Sequence, residues 1–133
     1  MQAFKKIVMG LVMCLSMGQV MASSVIYTED KPAIRVEAKN PEFAIRLQSN
    51  PTTGYSWYLQ SYDANVVQPV KHVYEPPANK KLIGAPGSEV WTFRVKPSGF
   101  VVPMQTLIHL VYARAWEMNG QAKQVVFQVT TGR

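Results

Sequence analysis

The stretch FAIRLQSNPTTGYSWYL, residues 43–59, consists of two alternating segments separated by a turn that contains proline and glycine. Apolar residues occupy every second position in both segments: Phe43, Ile45 and Leu47 in the first, and Tyr55, Trp57 and Leu59 in the second. Alternation at period two is typical of a β-strand with one buried face. The stretch therefore predicts two strands joined by a short loop.

The connecting loop, residues 50–55, has the sequence Asn-Pro-Thr-Thr-Gly-Tyr. Pro51 fixes its own φ and favours an extended conformation in the residue before it. Thr52 and Thr53 are β-branched and stiff at χ1, and Gly54 can adopt a positive φ without strain. We predict a short, stiff, protruding loop with two hydroxyls and an exposed backbone. Rigidly held loops often bind partners, although a plain hairpin turn can also contain proline and glycine.

The same alternation recurs in five other parts of the chain. These further segments are residues 34–37, 66–74, 89–96, 105–114 and 123–131. Pro69 interrupts the second of them and predicts an edge position, because proline cannot donate to a strand ladder. Asn119 and Gly120 predict a hairpin turn between the last two strands. The pattern predicts an all-β fold, an immunoglobulin-like antiparallel β-sandwich of about seven strands.

The first 22 residues differ from the rest of the chain. Lys5 and Lys6 precede an apolar run over residues 7–17, and residues 20–22, Val-Met-Ala, suit the positions before a cleavage point. This layout predicts a secretory signal peptide, and the run is short for a bilayer span. We expect an exported protein, periplasmic or secreted, with its domain over residues 23–133 and no stable membrane insertion after cleavage.

Charge and residue types argue against several function classes. Removing Lys5 and Lys6 lowers the formal net charge from +6 to +4, and the remaining cations are scattered, so we expect no nucleic-acid partner. The single cysteine, Cys14, lies in the leader, which excludes thiol catalysis and cysteine-zinc sites in the domain. His72 and His109 have no ligand spacing. We expect no enzyme activity, no metal and no cofactor.

Two later stretches have the composition of binding loops. Residues 84–87, Gly-Ala-Pro-Gly, are small enough for close backbone approach. Arg114 and Trp116 lie where a predicted strand ends, and both residue types are enriched in binding hot spots. Two alternatives stay open here: Arg114 can pack along the sheet edge and Trp116 can cap the core. In an immunoglobulin-like topology these two stretches and the 50–55 loop meet at one end.

The three stretches together resemble the loops of the chagasin family of cysteine-peptidase inhibitors. That family carries an N-P-T-T-G-[YF] loop, a glycine-rich loop and an R-P-W loop, in this order. The corresponding residues here are Asn50, Pro51, Thr52, Thr53, Gly54 and Tyr55, then Gly84, Ala85, Pro86 and Gly87, then Arg114, Ala115 and Trp116. The first motif is complete. Pro86 replaces a usual glycine, and Ala115 replaces the usual proline.

The resemblance implies a monomeric, reversible inhibitor whose partner is a papain-like cysteine peptidase. It implies that Thr52 and Thr53 enter the active-site cleft while the other two loops grip its sides. The missing proline at position 115 implies a less preorganised third loop. The alternative is a non-inhibitory immunoglobulin-like binding or adhesion module of the cell envelope, which would use its sheet faces or edges instead.

Overall fold

The computed structural model describes residues 25–79, 84–117 and 122–132. Within them the chain forms eight strands: β1 (Val25–Tyr27), β2 (Ala33–Glu37), β3 (Glu42–Ser49), β4 (Tyr55–Ser61), β5 (Val67–Glu75), β6 (Gly87–Val95), β7 (Gln105–Arg114) and β8 (Lys123–Gly132). Short 3-10 turns occur at Pro51–Thr53 and Pro97–Phe100. No helix in these ranges has the length and apolar character needed to cross a membrane.

Two four-stranded sheets face each other, with strand orders β1-β3-β6-β5 and β2-β8-β7-β4. The all-β sandwich is thus confirmed, and β2 to β8 are the seven predicted strands. β1 was not predicted, because its three residues are too few to show an alternating pattern. The predicted turn at Asn119 and Gly120 lies outside the described residues.

The purely antiparallel pairing predicted from the sequence is corrected at two places. β1 pairs with β3 in parallel, and β2 pairs with β8 in parallel. The reason is topological: β1 and β2 belong to different sheets, so the short connection between them cannot form a hairpin. The other four strand pairs are antiparallel, as expected.

The core is formed by the inward-facing residues of the alternating segments. Phe43, Ile45 and Leu47 of β3 are at most 1% exposed. From the facing sheet, Trp57, Ile108, Leu110 and Phe127 are also almost fully buried. Burial of this apolar surface is the main force that holds the two sheets together.

β5 is the last strand of its sheet, which confirms the edge position predicted from Pro69. The register between β5 and β6 shifts between Pro69 and Lys71. The irregularity follows from the missing N–H of proline, which removes one bond from the ladder.

Candidate functional site

Strand register brings the three predicted binding segments to one pole of the sandwich, called the tip below. Ser49, the last residue of β3, pairs with Gly87, the first residue of β6. Tyr55, the first residue of β4, pairs with Arg114, the last residue of β7. The 50–54 loop therefore lies beside the end of the glycine segment on one side and beside the Arg114–Trp116 segment on the other.

The 50–54 loop is a single 3-10 turn closed by its own hydrogen bonds. The Gly54 amide donates to the Pro51 carbonyl at 3.0 Å, and Gly54 has a φ of +83°. The Thr53 hydroxyl donates to the Asn50 carbonyl at 2.7 Å, and the Thr52 hydroxyl donates to Asn50 Oδ1 at 2.6 Å. The predicted positive φ at Gly54 is confirmed. Both threonine hydroxyls bond Asn50 within the loop.

Trp116 lies against the loop and does not cap the core. Trp116 is 71% exposed. Its indole Cη2 lies 3.1 Å from the position that a Cβ on Gly54 would occupy. The absence of a side chain at Gly54 therefore gives the indole its place. A large apolar ring that is this exposed at a tip is a feature of interaction sites.

Arg114 connects the third segment to the first. Its Nε donates to the Thr53 carbonyl at 3.1 Å, and its guanidinium carbon lies 4.7 Å from the centre of the Tyr55 ring. Its Nη1 is 3.5 Å from Glu117 Oε2. The Glu117 amide donates to the Arg114 carbonyl at 3.0 Å and closes a turn around Ala115 and Trp116. This turn restrains the segment that lacks the family's proline.

Three aromatic rings in mutual contact support the tip from below. Tyr112 lies 5.3 Å from Tyr55 and 5.0 Å from Trp57, measured between ring centres. The Tyr112 hydroxyl accepts a hydrogen bond of 2.9 Å from the Asn50 amide. The sequence analysis gave Tyr112 no role at the tip. The position of Tyr112 could have indicated this hydrogen bond, because a partly buried tyrosine near a strand end usually finds a partner for its hydroxyl.

The glycine segment is described from Gly84 onward, and its residues differ in position. Gly84 has a φ of +80° and is exposed, and no atom lies within 4 Å of the place of a Cβ there. Ala85 is half-buried, and Pro86 is exposed. Gly87 is instead a buried strand residue, where a Cβ would collide with Tyr74 and with the Glu75 backbone. β6 therefore begins two residues before the alternating segment 89–96 that the sequence predicted.

The described tip carries a groove of about 190 Å³ lined by Gln48, Ser49, Asn50, Trp57, Pro86, Tyr112 and Lys123. A larger depression of about 420 Å³ lies at the other pole, between Pro41 and Phe100. Among the described residues, no three His, Cys, Asp or Glu side chains are grouped to hold a metal ion.

Known proteins are similar to this chain in sequence and in fold. Residues 37–131 match the model of a family described as Chagasin family peptidase inhibitor I42. Chagasin of Trypanosoma cruzi is 36% identical over 76 residues, which are 54% of this chain and 64% of chagasin. The match thus spans just under two thirds of that relative's length.

Solved structures with the same fold include one that is named as a cysteine protease inhibitor. The crystal structure of the cysteine protease inhibitor EhICP2 from Entamoeba histolytica has a TM-score of 0.66 and 20% identity, covering 81% of this chain and 95% of that chain. The solution structure of Amebosin has a TM-score of 0.62 and 23% identity, covering 82% and 98%. PbICP-C in complex with falcipain-2 has a TM-score of 0.58 and 15% identity, covering 82% and 91%.

At these identities the structural likeness shows the fold, and the match of the family model over most of the chain shows the relationship. The relatives are inhibitors of enzymes and not enzymes themselves. The chain belongs to the chagasin family of peptidase inhibitors.

Proposed function

We propose that this protein is an exported, reversible, tight-binding inhibitor of papain-like cysteine peptidases that blocks the active-site cleft with its tip. One observation carries the proposal: the tip is internally braced. The Tyr112 hydroxyl and the Arg114 guanidinium each bond the backbone of the 50–54 loop. A braced loop loses little conformational entropy on binding, so more of the contact energy remains as affinity.

The proposed inhibition is physical obstruction. All three residues of the turn at Pro51–Thr53 are exposed. Inserted into a cleft, the loop would exclude substrate. Its 3-10 turn is not the extended backbone that a cleavable peptide offers, so the loop would resist cleavage. Residues 23–133 contain no cysteine, so no disulfide to the catalytic thiol could form.

The two flanking segments would hold the tip on the enzyme. Trp116 offers a broad exposed ring that can lie on an apolar wall of the cleft. The Nε of Arg114 is bonded to the Thr53 carbonyl. The rest of the guanidinium can still pair with an acidic group of the enzyme. An interface of standard size, roughly 800 Å² on each partner, would accommodate three such segments. A similar fold is known in complex with falcipain-2, which supports a peptidase as the partner.

Titration of papain by the protein purified after export tests this function. Mass spectrometry of the product should give a chain that begins at Ser23, as the leader prediction requires. Residual activity should fall to near zero at equimolar inhibitor and should return on dilution. Trypsin, a serine peptidase, is the control and should be unaffected. Full papain activity at micromolar inhibitor would reject the proposal.

Size-exclusion chromatography of the papain mixture would test the monomeric state of the inhibitor. We expect a single complex containing one copy of each chain. Elution of the inhibitor alone as a dimer would contradict the monomer. Capture of a partner that is not a peptidase, together with no inhibition, would favour the adhesion-module alternative.

A further inference from the structure

Glu89 occupies a position where a charged residue is unexpected. It lies on the same face of β6 as Phe93 and Val95, which point into the core, and it is 3% exposed. Removing a carboxylate from water is costly unless hydrogen bonds compensate. The surroundings of Glu89 therefore need to supply several donors.

Three residues on two other strands supply them. The Trp57 amide donates to Glu89 Oε2 at 3.1 Å, and the Ser56 hydroxyl donates to Oε1 at 3.0 Å. His72 Nε2 lies 2.7 Å from Oε1. An ionised carboxylate only accepts, so His72 must carry its proton on Nε2 in that state. The His72 ring is itself stacked on Trp91, with ring centres 4.0 Å apart.

These contacts join the two sheets directly behind the tip. β4 is the last strand of its sheet, so one of its edges has no neighbouring strand among the described residues. Glu89, which belongs to the facing sheet, takes the place of that neighbour at Ser56 and Trp57. These two residues follow the 50–54 loop and Tyr55 immediately. The carboxylate therefore fixes the strand into which the loop leads.

Trp57 extends this restraint to the other arm of the loop. Its indole Nε1 donates to the Gln48 carbonyl at 2.9 Å, two residues before Asn50. The backbone of Trp57 is thus held by Glu89 while its side chain holds the end of β3. Both arms of the loop depend on the placement of one residue.

We propose that Glu89 is a positioning residue for inhibition: its buried carboxylate sets the direction in which the 50–54 loop leaves the sandwich. This inference rests on the proposed inhibitory function. Glu89 itself does not touch the peptidase, because it is buried between the strands. Its substitution should weaken inhibition without removing any contact made to the enzyme.

The test compares Glu89→Gln with two controls in papain inhibition. Glutamine has nearly the same shape but offers one oxygen and one NH₂ group, so it cannot accept from all three donors. We expect the inhibition constant to rise roughly tenfold as preorganisation is lost. Glu42→Gln, a carboxyl change at the other pole, should leave the constant unchanged. Val95→Ala should also leave the inhibition constant unchanged, although it lowers the melting temperature through a core cavity far from the tip.

Amide spectra of the free protein provide a readout that does not depend on inhibition. In Glu89→Gln, the proton resonance of the Trp57 amide should shift upfield, and the amides of Thr53 and Gly54 should shift or broaden. Val95→Ala should leave the Thr53 and Gly54 resonances in place. Unchanged loop resonances and an unchanged inhibition constant in Glu89→Gln would overturn the proposal.

Ser56→Ala keeps the test decisive if Glu89→Gln fails to fold. This variant removes one donor and leaves the carboxylate in place, so we expect a loss of roughly threefold in inhibition with the fold preserved. A folded Ser56→Ala protein with unchanged inhibition and unchanged loop amides would overturn the proposal. If the unaltered protein does not inhibit papain, the inhibitory function fails, and the loop amides still report whether Glu89 positions the loop.

Discussion

Arg114 and Thr53, 61 residues apart in the chain, are joined by a hydrogen bond of 3.1 Å from the guanidinium Nε to the backbone carbonyl. The bond holds the first and third segments of the tip together. It also changes the interpretation of Arg114. The sequence suggested a residue type common in binding hot spots, whereas the structure shows that the Nε of this side chain braces the 50–54 loop of the same chain.

Arg114→Met should weaken papain inhibition while the sandwich stays folded. The substitution keeps an apolar stem of similar length and removes the bond to the Thr53 carbonyl. A hydrogen bond to a charged group contributes about 1 to 2 kcal/mol here, given its partial exposure. The inhibition constant and the melting temperature should be measured together. Arg94→Met, which removes an exposed ion pair at the other pole, is the matched control. Equal inhibition by both variants would contradict the bracing role.

Trp116→Ala should reduce binding by about 2 kcal/mol, because exposed aromatic anchors often dominate an interface. The free protein should lose little stability, since the residue is 71% exposed. Thermal unfolding and the inhibition constant separate the two effects. An unchanged constant would remove Trp116 from the binding surface.

Gly54→Ala should lower affinity for two physical reasons. The φ of +83° at position 54 costs an L-residue about 1 kcal/mol or more. The Cβ of the alanine would also press on the Trp116 ring. If displacement of the ring causes much of the loss, Gly54→Ala combined with Trp116→Ala should cost less than the sum of the single variants. Strict additivity in this cycle would show that the two residues act independently.

Tyr112→Phe should lower the free energy of unfolding by about 1 kcal/mol, because the part-buried Asn50 amide loses its acceptor. Inhibition should also weaken, since that amide begins the loop. Urea unfolding and papain inhibition report the two quantities. Tyr62→Phe, at an exposed site near the other pole, is the control and should behave as the unaltered chain does. A Tyr112→Phe protein of normal stability would contradict the proposed support.

Much of the fold could be predicted because its strands are long and have one buried face. β7, for example, was predicted with the bounds that the structure shows, since Ile108 and Leu110 are core residues in an alternating run. β1 escaped prediction because it relies on β3 for its pairing and shows no pattern of its own. The parallel pairing of β2 with β8 depends on the order of strands in space, which alternation does not encode.

The site was predictable in composition but not in its internal bonds. Motif order and strand count together placed the three segments at one pole, and the register confirms it. The bonds of Arg114 to Thr53 and of Tyr112 to Asn50 connect residues far apart in sequence, so local patterns could not reveal them. Glu89 did leave a signal: it shares the alternation of Trp91 and Phe93, which places a carboxylate on an apolar face.

The most direct measurement of the central claim is an amide shift map of the labelled protein bound to papain whose catalytic cysteine has been blocked by a small group. We predict that the largest changes fall on residues 50–55, 84–86 and 114–116, and that the turn at Pro97–Phe100 on the other pole is unaffected. Changes confined to that other pole, or to the outer faces of the sheets, would contradict an inhibitor that binds through this tip.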